Sequence, residues 1–190
     1  MRAQIDKKAK KEILHEGKFL RFVREGEWEY VERNNCSAIV IIIAMTDEKR
    51  VLFVEQYRPP VKRRAIEFPA GLVNDRGQKR PESILTAAKR ELLEETGYRA
   101  GKMTKLLEGP VSSGSSSDMV TILHAQNLEK VARGGGDEFE SITVHEVPLD
   151  EADRWLLKMR RKKYLVEPKI YTGLYFLHNL NLRSKAYVFP

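Results

Sequence analysis

The sequence predicts an α/β fold of the mixed α+β kind, in which helices cover a mixed sheet. Three observations predict it. Two β-branched apolar runs, Ser37 to Ala44 and Val51 to Gln56, are separated only by the turn Thr46-Asp47-Glu48-Lys49 and read as buried strands. One long helical segment, Ser83 to Thr96, follows them instead of alternating with them. Further short strands then precede two terminal helices, and strands, helix, strands, helices in that order describe a sheet packed by helices.

In chain order, Lys18 to Val23 and Glu27 to Glu32 flank Gly26 and alternate in polarity, which predicts a β-hairpin. The two apolar strands come next, and Pro59, Pro60, Pro69 and Gly71 punctuate the stretch after them. Pro81-Glu82 starts the long helix, with Leu85, Ala88, Leu92 and Leu93 as its apolar positions and Gly97 just past its end. Strands are expected around Met103 to Glu108, Met119 to Ala125 and Ile142 to Val147, with a flexible loop, Ala132 to Asp137, around Gly134-Gly135-Gly136. Asp150 to Arg161 and Ile170 to Asn181 read as helices. The domain reading is a β extension over 1–35, expected to dimerise, and a catalytic domain over 36–190.

Composition narrows the function classes. With 190 residues, 42% hydrophobic and 32% charged, the chain can bury one sizeable core. The longest apolar run, Ala38 to Met45, is too short to span a bilayer, and no apolar signal core follows the charged start, so the expected location is cytoplasmic. The single cysteine, Cys36, excludes an internal disulfide framework. The net charge of +7 is spread over Lys7 to Lys11, Lys62 to Arg64 and Arg160 to Lys163. No aromatic–basic interleaving accompanies it, so a solvated surface is preferred and nucleic acid is not the expected partner.

The chemistry concentrates between Ala70 and Tyr98, which reads AGLVNDRGQKRPESILTAAKRELLEETGY. On a helix Glu91, Glu94 and Glu95 stand at i, i+3 and i+4, so their carboxylates share one face. Three clustered anions repel unless a cation sits among them, and Mg²⁺ takes such oxygen ligands together with waters and phosphate oxygens. A metal so held polarises a phosphoryl oxygen and activates water. A solvated acidic face would explain any three glutamates as well. It does not explain the ordered Glu82, Arg90 and Gly97.

This segment resembles the Nudix box, G-x5-E-x7-R-E-U-x-E-E-x-G-U, with U a bulky apolar residue. Glu82, Arg90, Glu91, Glu94, Glu95 and Gly97 match it. At roughly 5–10% frequency per residue type, a chance match is on the order of 10⁻⁵ to 10⁻⁴. One departure is a longer loop: ten residues, not five, separate Gly71 from Glu82. Gly71 takes the part of the box glycine because Ala70-Gly71 follows Glu67-Phe68-Pro69 directly. The resemblance implies the Nudix fold, an α/β/α sandwich, here with an N-terminal β-hairpin extension. It implies Mg²⁺, or alternatively Mn²⁺, held by Glu91, Glu94, Glu95 and the backbone carbonyl of Ala70. Arg90 would orient a glutamate, Glu82 would brace the loop–helix–loop unit or orient a ligand, and Gly97 would cap the helix.

Flanking residues point to a branch. Glu55-Gln56-Tyr57-Arg58-Pro59-Pro60, Glu67-Phe68-Pro69-Ala70-Gly71 and Pro148-Leu149-Asp150-Glu151 are similar to ADP-ribose pyrophosphatases and nucleotide-sugar hydrolases. The similarity runs from about Trp28 to Glu151. It implies a nucleoside diphosphate sugar as the small-molecule substrate, cut to a nucleoside monophosphate and a sugar phosphate, and a homodimer. Arg58 is a candidate phosphate clamp, against the plain alternative of an exposed strand-end arginine. For the general base the resemblance offers a loop acid after the glycines: Glu140 first, Glu138 second, against two ordinary surface acids. Trp28 is first a packing residue by type, yet its acidic neighbours suggest an exposed strand, where it would stack on the substrate's base. At Val111 to Asp118 the branch's Ser-Pro-Gly is replaced by Ser112-Ser113-Gly114, so no substrate contact carries over. Two other readings remain. One is a Nudix enzyme for RNA 5′ ends or dinucleoside polyphosphates. The other is a non-cleaving Nudix-fold regulator, which the intact glutamates disfavour. His15, His124, His145 and His178 are scattered and offer no zinc site.

Overall fold

A computed structural model describes residues 9–75, 81–136 and 141–179. Within them lie eleven strands and three α-helices in three sheets. The first sheet is antiparallel in the order β1-β2-β3, from β1 (Lys11–Glu16), β2 (Leu20–Glu25) and β3 (Trp28–Arg33). The expected hairpin is β2-β3, turning at Gly26 with φ of 61°. β1 is an addition that KEILHE, mostly polar, did not announce.

The second sheet has the order β7-β4-β9-β8, from β4 (Ala38–Ala44), β7 (Ala70–Val73), β8 (Tyr98–Pro110) and β9 (Met119–Lys130). β4 runs parallel to β9 and antiparallel to β7. The third has the order β10-β5-β6-β11, from β5 (Arg50–Arg58), β6 (Arg63–Glu67), β10 (Thr143–Pro148) and β11 (Leu165–Val166). β6, β7 and β11 escaped the reading because RRAIE and AGLV carry little strand periodicity and β11 spans two residues. β8 starts at once after the helix and runs through Pro110, longer than expected.

β4 shows why the sequence builds a sandwich. Val40, Ile42 and Ala44 pack with Ala87, Ala88 and Leu92 of α1 (Ile84–Thr96). Ile41 and Ile43, on the other face, join Leu156 and Met159 of α2 (Ala152–Arg161) and Ile170, Leu174 and Leu177 of α3 (Lys169–His178). A strand apolar at every position is thus buried on both faces, as period-2 alternation requires. α3 comes so close that a Cβ on Gly173 would lie 2.2 Å from the Phe68 ring. No helix among the described residues is long and apolar enough to cross a membrane.

Candidate active site: an arginine-centred acid cluster on α1

α1 begins one turn later than Pro81 suggested. Ser83 is its N-cap and accepts a hydrogen bond from the Thr86 amide at 3.1 Å. Its C-terminus closes on Gly97, at φ of 76°, whose amide donates to the Leu93 carbonyl at 2.8 Å. Within the loop expected over Ala132 to Asp137, residues 132–136 lie as a strap over this helix end. The amides of Gly135 and Gly136 donate to the carbonyls of Glu95 and Glu94 at 2.8 and 3.1 Å. All three glycines of the strap have positive φ, and a Cβ on Gly134 would meet the Thr96 carbonyl carbon at 2.4 Å.

Arg90 organises the acids. Its Nε and Nη2 donate to the two carboxylate oxygens of Glu82, each at 3.0 Å, and Nη2 also reaches the Leu72 carbonyl at 3.0 Å. Nη1 donates to Glu91 at 2.7 Å and to Glu94 at 3.3 Å. Glu82 is clasped from its other side by Asn74, whose side-chain oxygen accepts the Glu82 amide and whose own amide donates back at 3.4 Å. Asn74 has φ of 64°, a left-handed turn that asparagine tolerates. Asn74 and the Leu72 carbonyl are not singled out by the sequence, since a lone Asn-Asp pair signals a turn and nothing more.

Glu95, only 4% exposed, accepts the Ala70 amide at 3.1 Å, which brings β7 and the helix together. Gly71 faces Glu91: a Cβ there would stand 1.9 Å from the Glu91 carboxyl carbon. The glycine leaves room for that carboxylate between strand and helix. Burial pushes Glu91 up to about 7, helped by the nearby charges of Glu94 and Asp75 and opposed by Arg90. The Arg90 guanidinium is held in its charged form, chiefly by its bonds to Glu82.

The residues fit a hard divalent cation. Glu91, Glu94 and Glu95 offer oxygen donors along one turn, and one guanidinium leaves Glu91's buried carboxylate short of positive charge. Among the described residues no three acidic, histidine or cysteine side chains already converge as a cation cage. Arg90 Nη1 holds Glu91 and Glu94, so a cation would take these two from the arginine while Glu82 keeps the rest of the fork.

The other sequence candidates sit apart. Arg58, at the end of β5, is engaged by Glu67 through three N–H···O contacts of 2.6 to 3.2 Å. Trp28 is 56% exposed at the start of β3, in a different sheet from Ala70 and Gly71. β3 is not an open edge, because Val31 bridges Ser116 of the serine loop. Asp118, at the end of the serine loop, pairs with Arg33 at 3.4 Å. Glu138 and Glu140 lie outside the described residues.

The chain resembles known proteins along most of its length. The methanol dehydrogenase activator of Bacillus methanolicus is 34% identical over 122 residues, which are 64% of this chain and 63% of that one. The ADP-ribose pyrophosphatase of Bacillus subtilis is 34% identical over 139 residues, 73% of this chain and 70% of the relative. The chain thus spans a little under two thirds of the first relative's length and somewhat more of the second's. A crystal structure of an ADP compounds hydrolase superposes with a TM-score of 0.68 at 19% identity, over 93% of this chain and 94% of that one, a likeness of fold. The NUDIX domain model matches residues 37–167, which take in β4 through β11 and the whole acid cluster, and the chain therefore belongs to the NUDIX family.

Proposed function

We propose that this protein is a Mg²⁺-dependent hydrolase that cuts the pyrophosphate of ADP-ribose or a related nucleoside diphosphate sugar, giving a nucleoside monophosphate and a sugar phosphate. One observation carries the reading: Glu91 and Glu94, both bonded to Arg90, and Glu95, bonded to the Ala70 amide, follow the residue order of the Nudix box on one helix. A relative that spans most of this chain is named an ADP-ribose pyrophosphatase. Mg²⁺ is preferred, with Mn²⁺ as a substitute, because every candidate donor is an oxygen.

A cation held by Glu91, Glu94 and Glu95 would supply Lewis-acid polarisation of the phosphoryl group and a lowered pKa of water. The chain's own residues do the rest. Glu95 is fixed by the Ala70 amide, and the Ala70 carbonyl is assigned to the metal. Arg90, anchored by Glu82, sets the direction of Glu91 and Glu94. Arg58 is assigned to the diphosphate and Trp28 to the base, which any nucleobase face satisfies. Glu140 is the preferred general base, with Glu138 the alternate. The protein is placed in the cytoplasm as a homodimer, with 1–35 as the dimerising extension and 36–190 as the catalytic domain.

A hydrolysis panel with Mg²⁺ tests the reading: ADP-ribose, several nucleotide sugars, dinucleoside polyphosphates and 5′-triphosphate RNA. ADP-ribose or another nucleotide sugar should be the best substrate. Preference for RNA ends over every nucleotide sugar would move the enzyme to the other branch.

A further inference from the structure

Two of the acids on α1 sit at the end of a helix that least favours them. Glu94 and Glu95 lie in its last turn, where the backbone carbonyls already concentrate negative charge, and no basic residue shares that turn. The last four carbonyls of a helix also lack partners inside it. Left alone, such a turn frays, and the carboxylates on it lose their common direction. The Gly97 amide closes the Leu93 carbonyl, but the carbonyls of Glu94 and Glu95 need donors from outside the helix.

The strap supplies them. Gly136 donates to the Glu94 carbonyl and Gly135 to that of Glu95, so each of the two acids is held through its own backbone. The strap is fixed on both sides of this contact. Before it, the Val131 and Ala132 amides donate to the Gly97 carbonyl at 2.9 and 3.0 Å. After it, the Gly135 carbonyl accepts the Ile142 amide at 3.1 Å, one residue short of β10. Gly134 sets how near the strap comes. A Cβ on it would lie 2.4 Å from the Thr96 carbonyl carbon, 2.6 Å from the Gly97 nitrogen and 2.8 Å from the Glu95 carbonyl oxygen. These are backbone atoms, which no rotamer change can move aside. Its φ of 72° is left-handed as well. Glycine at 134 is therefore what lets the donors reach the carbonyls of these two acids.

We infer that Gly134 is a positioning residue: it lets the strap lock the last turn of α1, so that the carboxylates of Glu94 and Glu95 stand ready for the cation. The inference rests on the proposed function for the part that cation plays. Strap and cation both relieve the negative charge of one turn, so each strengthens the other's hold, and by the same factor. A cap that only stabilises the fold makes no such link.

The test uses the full chain as wild type, Gly134→Ala and Met159→Ala, with Mg²⁺ alone as the ligand. Met159 lies in the core on α2, across β4 from α1, so its truncation lowers stability without touching the strap. Nuclear magnetic resonance reads Mg²⁺ affinity by titration and the hydrogen exchange of the Gly135 and Gly136 amides. With Mg²⁺ at ten times its dissociation constant, protection of both amides in the wild type should rise about 5-fold, as linkage gives when lifting the strap weakens Mg²⁺ about 10-fold. The Lys162 amide, bonded to the Lys158 carbonyl at the end of α2, should not change. Gly134→Ala should bind Mg²⁺ about 10-fold more weakly, the scale of one or two backbone hydrogen bonds, while Met159→Ala keeps wild-type affinity. Hydrolysis of ADP-ribose by Gly134→Ala should need correspondingly more Mg²⁺, with KM within about 3-fold. Unchanged Mg²⁺ affinity in Gly134→Ala, an equal loss in Met159→Ala, or a gain in protection shared by Lys162 would overturn the inference. Should Gly134→Ala not fold, the wild-type exchange decides alone, and no gain at Gly135 and Gly136 overturns it. A wild type that binds Mg²⁺ but hydrolyses no nucleotide sugar sinks the proposed function, whereas titration and exchange still decide the role of Gly134.

Discussion

Gly71 shows how a single residue decides what the acid cluster can do. Its backbone lies against the Glu91 carboxyl, and any Cβ would overlap it at 1.9 Å. Gly71→Ala must therefore drive Glu91 off β7 and away from Arg90. A displacement on the ångström scale costs roughly 10²-fold in rate when a reacting geometry is lost. We expect kcat for ADP-ribose to fall by about that factor while the thermal midpoint moves little, because the displaced atoms are the far end of one side chain. A variant with wild-type kcat would show that Glu91 is not needed where the strand presses on it. Trp28 marks the other limit at this scale: its exposure agrees with a surface role, yet exposure alone does not tie it to the base.

At the scale of elements, the helix end is the feature most open to test. Gly97 holds a left-handed φ of 76°, and a Cβ there would lie 2.1 Å from the Ala132 carbonyl oxygen. Both the strain and the clash are backbone effects, so Gly97→Ala should cost about 1–3 kcal/mol in urea unfolding. Less than about 0.5 kcal/mol would mean that the strap does not hold the helix end. The sequence made this helix legible because Glu82, Arg90, Gly97 and the apolar Leu92 each fit one geometry at once. β4 was legible because every residue in it is apolar, and β5 because of its apolar run Val51 to Val54. β1 and β6 were not, since KEILHE and RRAIE carry no clean apolar alternation, although each pairs with the strand beside it in sequence. The loop around Gly134-Gly135-Gly136 was legible from its glycines; its backbone contact with Glu94 and Glu95 was not, since three glycines permit a flexible linker and a close backbone approach equally.

Buried carboxylates link distant strands across the whole molecule, and they set its response to acid. Burial raises Glu146, yet the bonds from the Tyr98 hydroxyl at 2.7 Å and Lys130 at 3.0 Å hold it below its ordinary value of 4.5. Glu55 is likewise raised by burial and lowered further by His145 and Arg64. A carboxylate depressed in the folded state adds stability that is present above the unfolded pKa and lost as pH falls through the folded one. Unfolding free energy should therefore drop below about pH 4.5, and Glu146→Gln should flatten that drop; an unchanged acid profile in the variant would remove Glu146 from the account. The N-terminal sheet leaves Ile13, Phe19, Leu20, Phe22 and Trp28 exposed, more apolar surface than a three-stranded sheet keeps in water without cost. Light scattering at micromolar concentration should return a dimer mass, and a monomer mass would refute the proposed assembly.

In the proposed reaction the carboxylates gathered on α1 hold the cation needed for pyrophosphate cleavage. Glu95→Gln tests this most directly, because Glu95 is the most buried of the three acids and its neighbour, the Ala70 amide, still finds an acceptor in the glutamine side-chain oxygen. The measurement is Mg²⁺-dependent ADP-ribose hydrolysis beside the unfolding midpoint of the same sample. The account predicts an unfolding midpoint near that of the wild type with turnover reduced at least about 10²-fold and a higher Mg²⁺ requirement. Near-normal turnover at the wild-type Mg²⁺ concentration would contradict it.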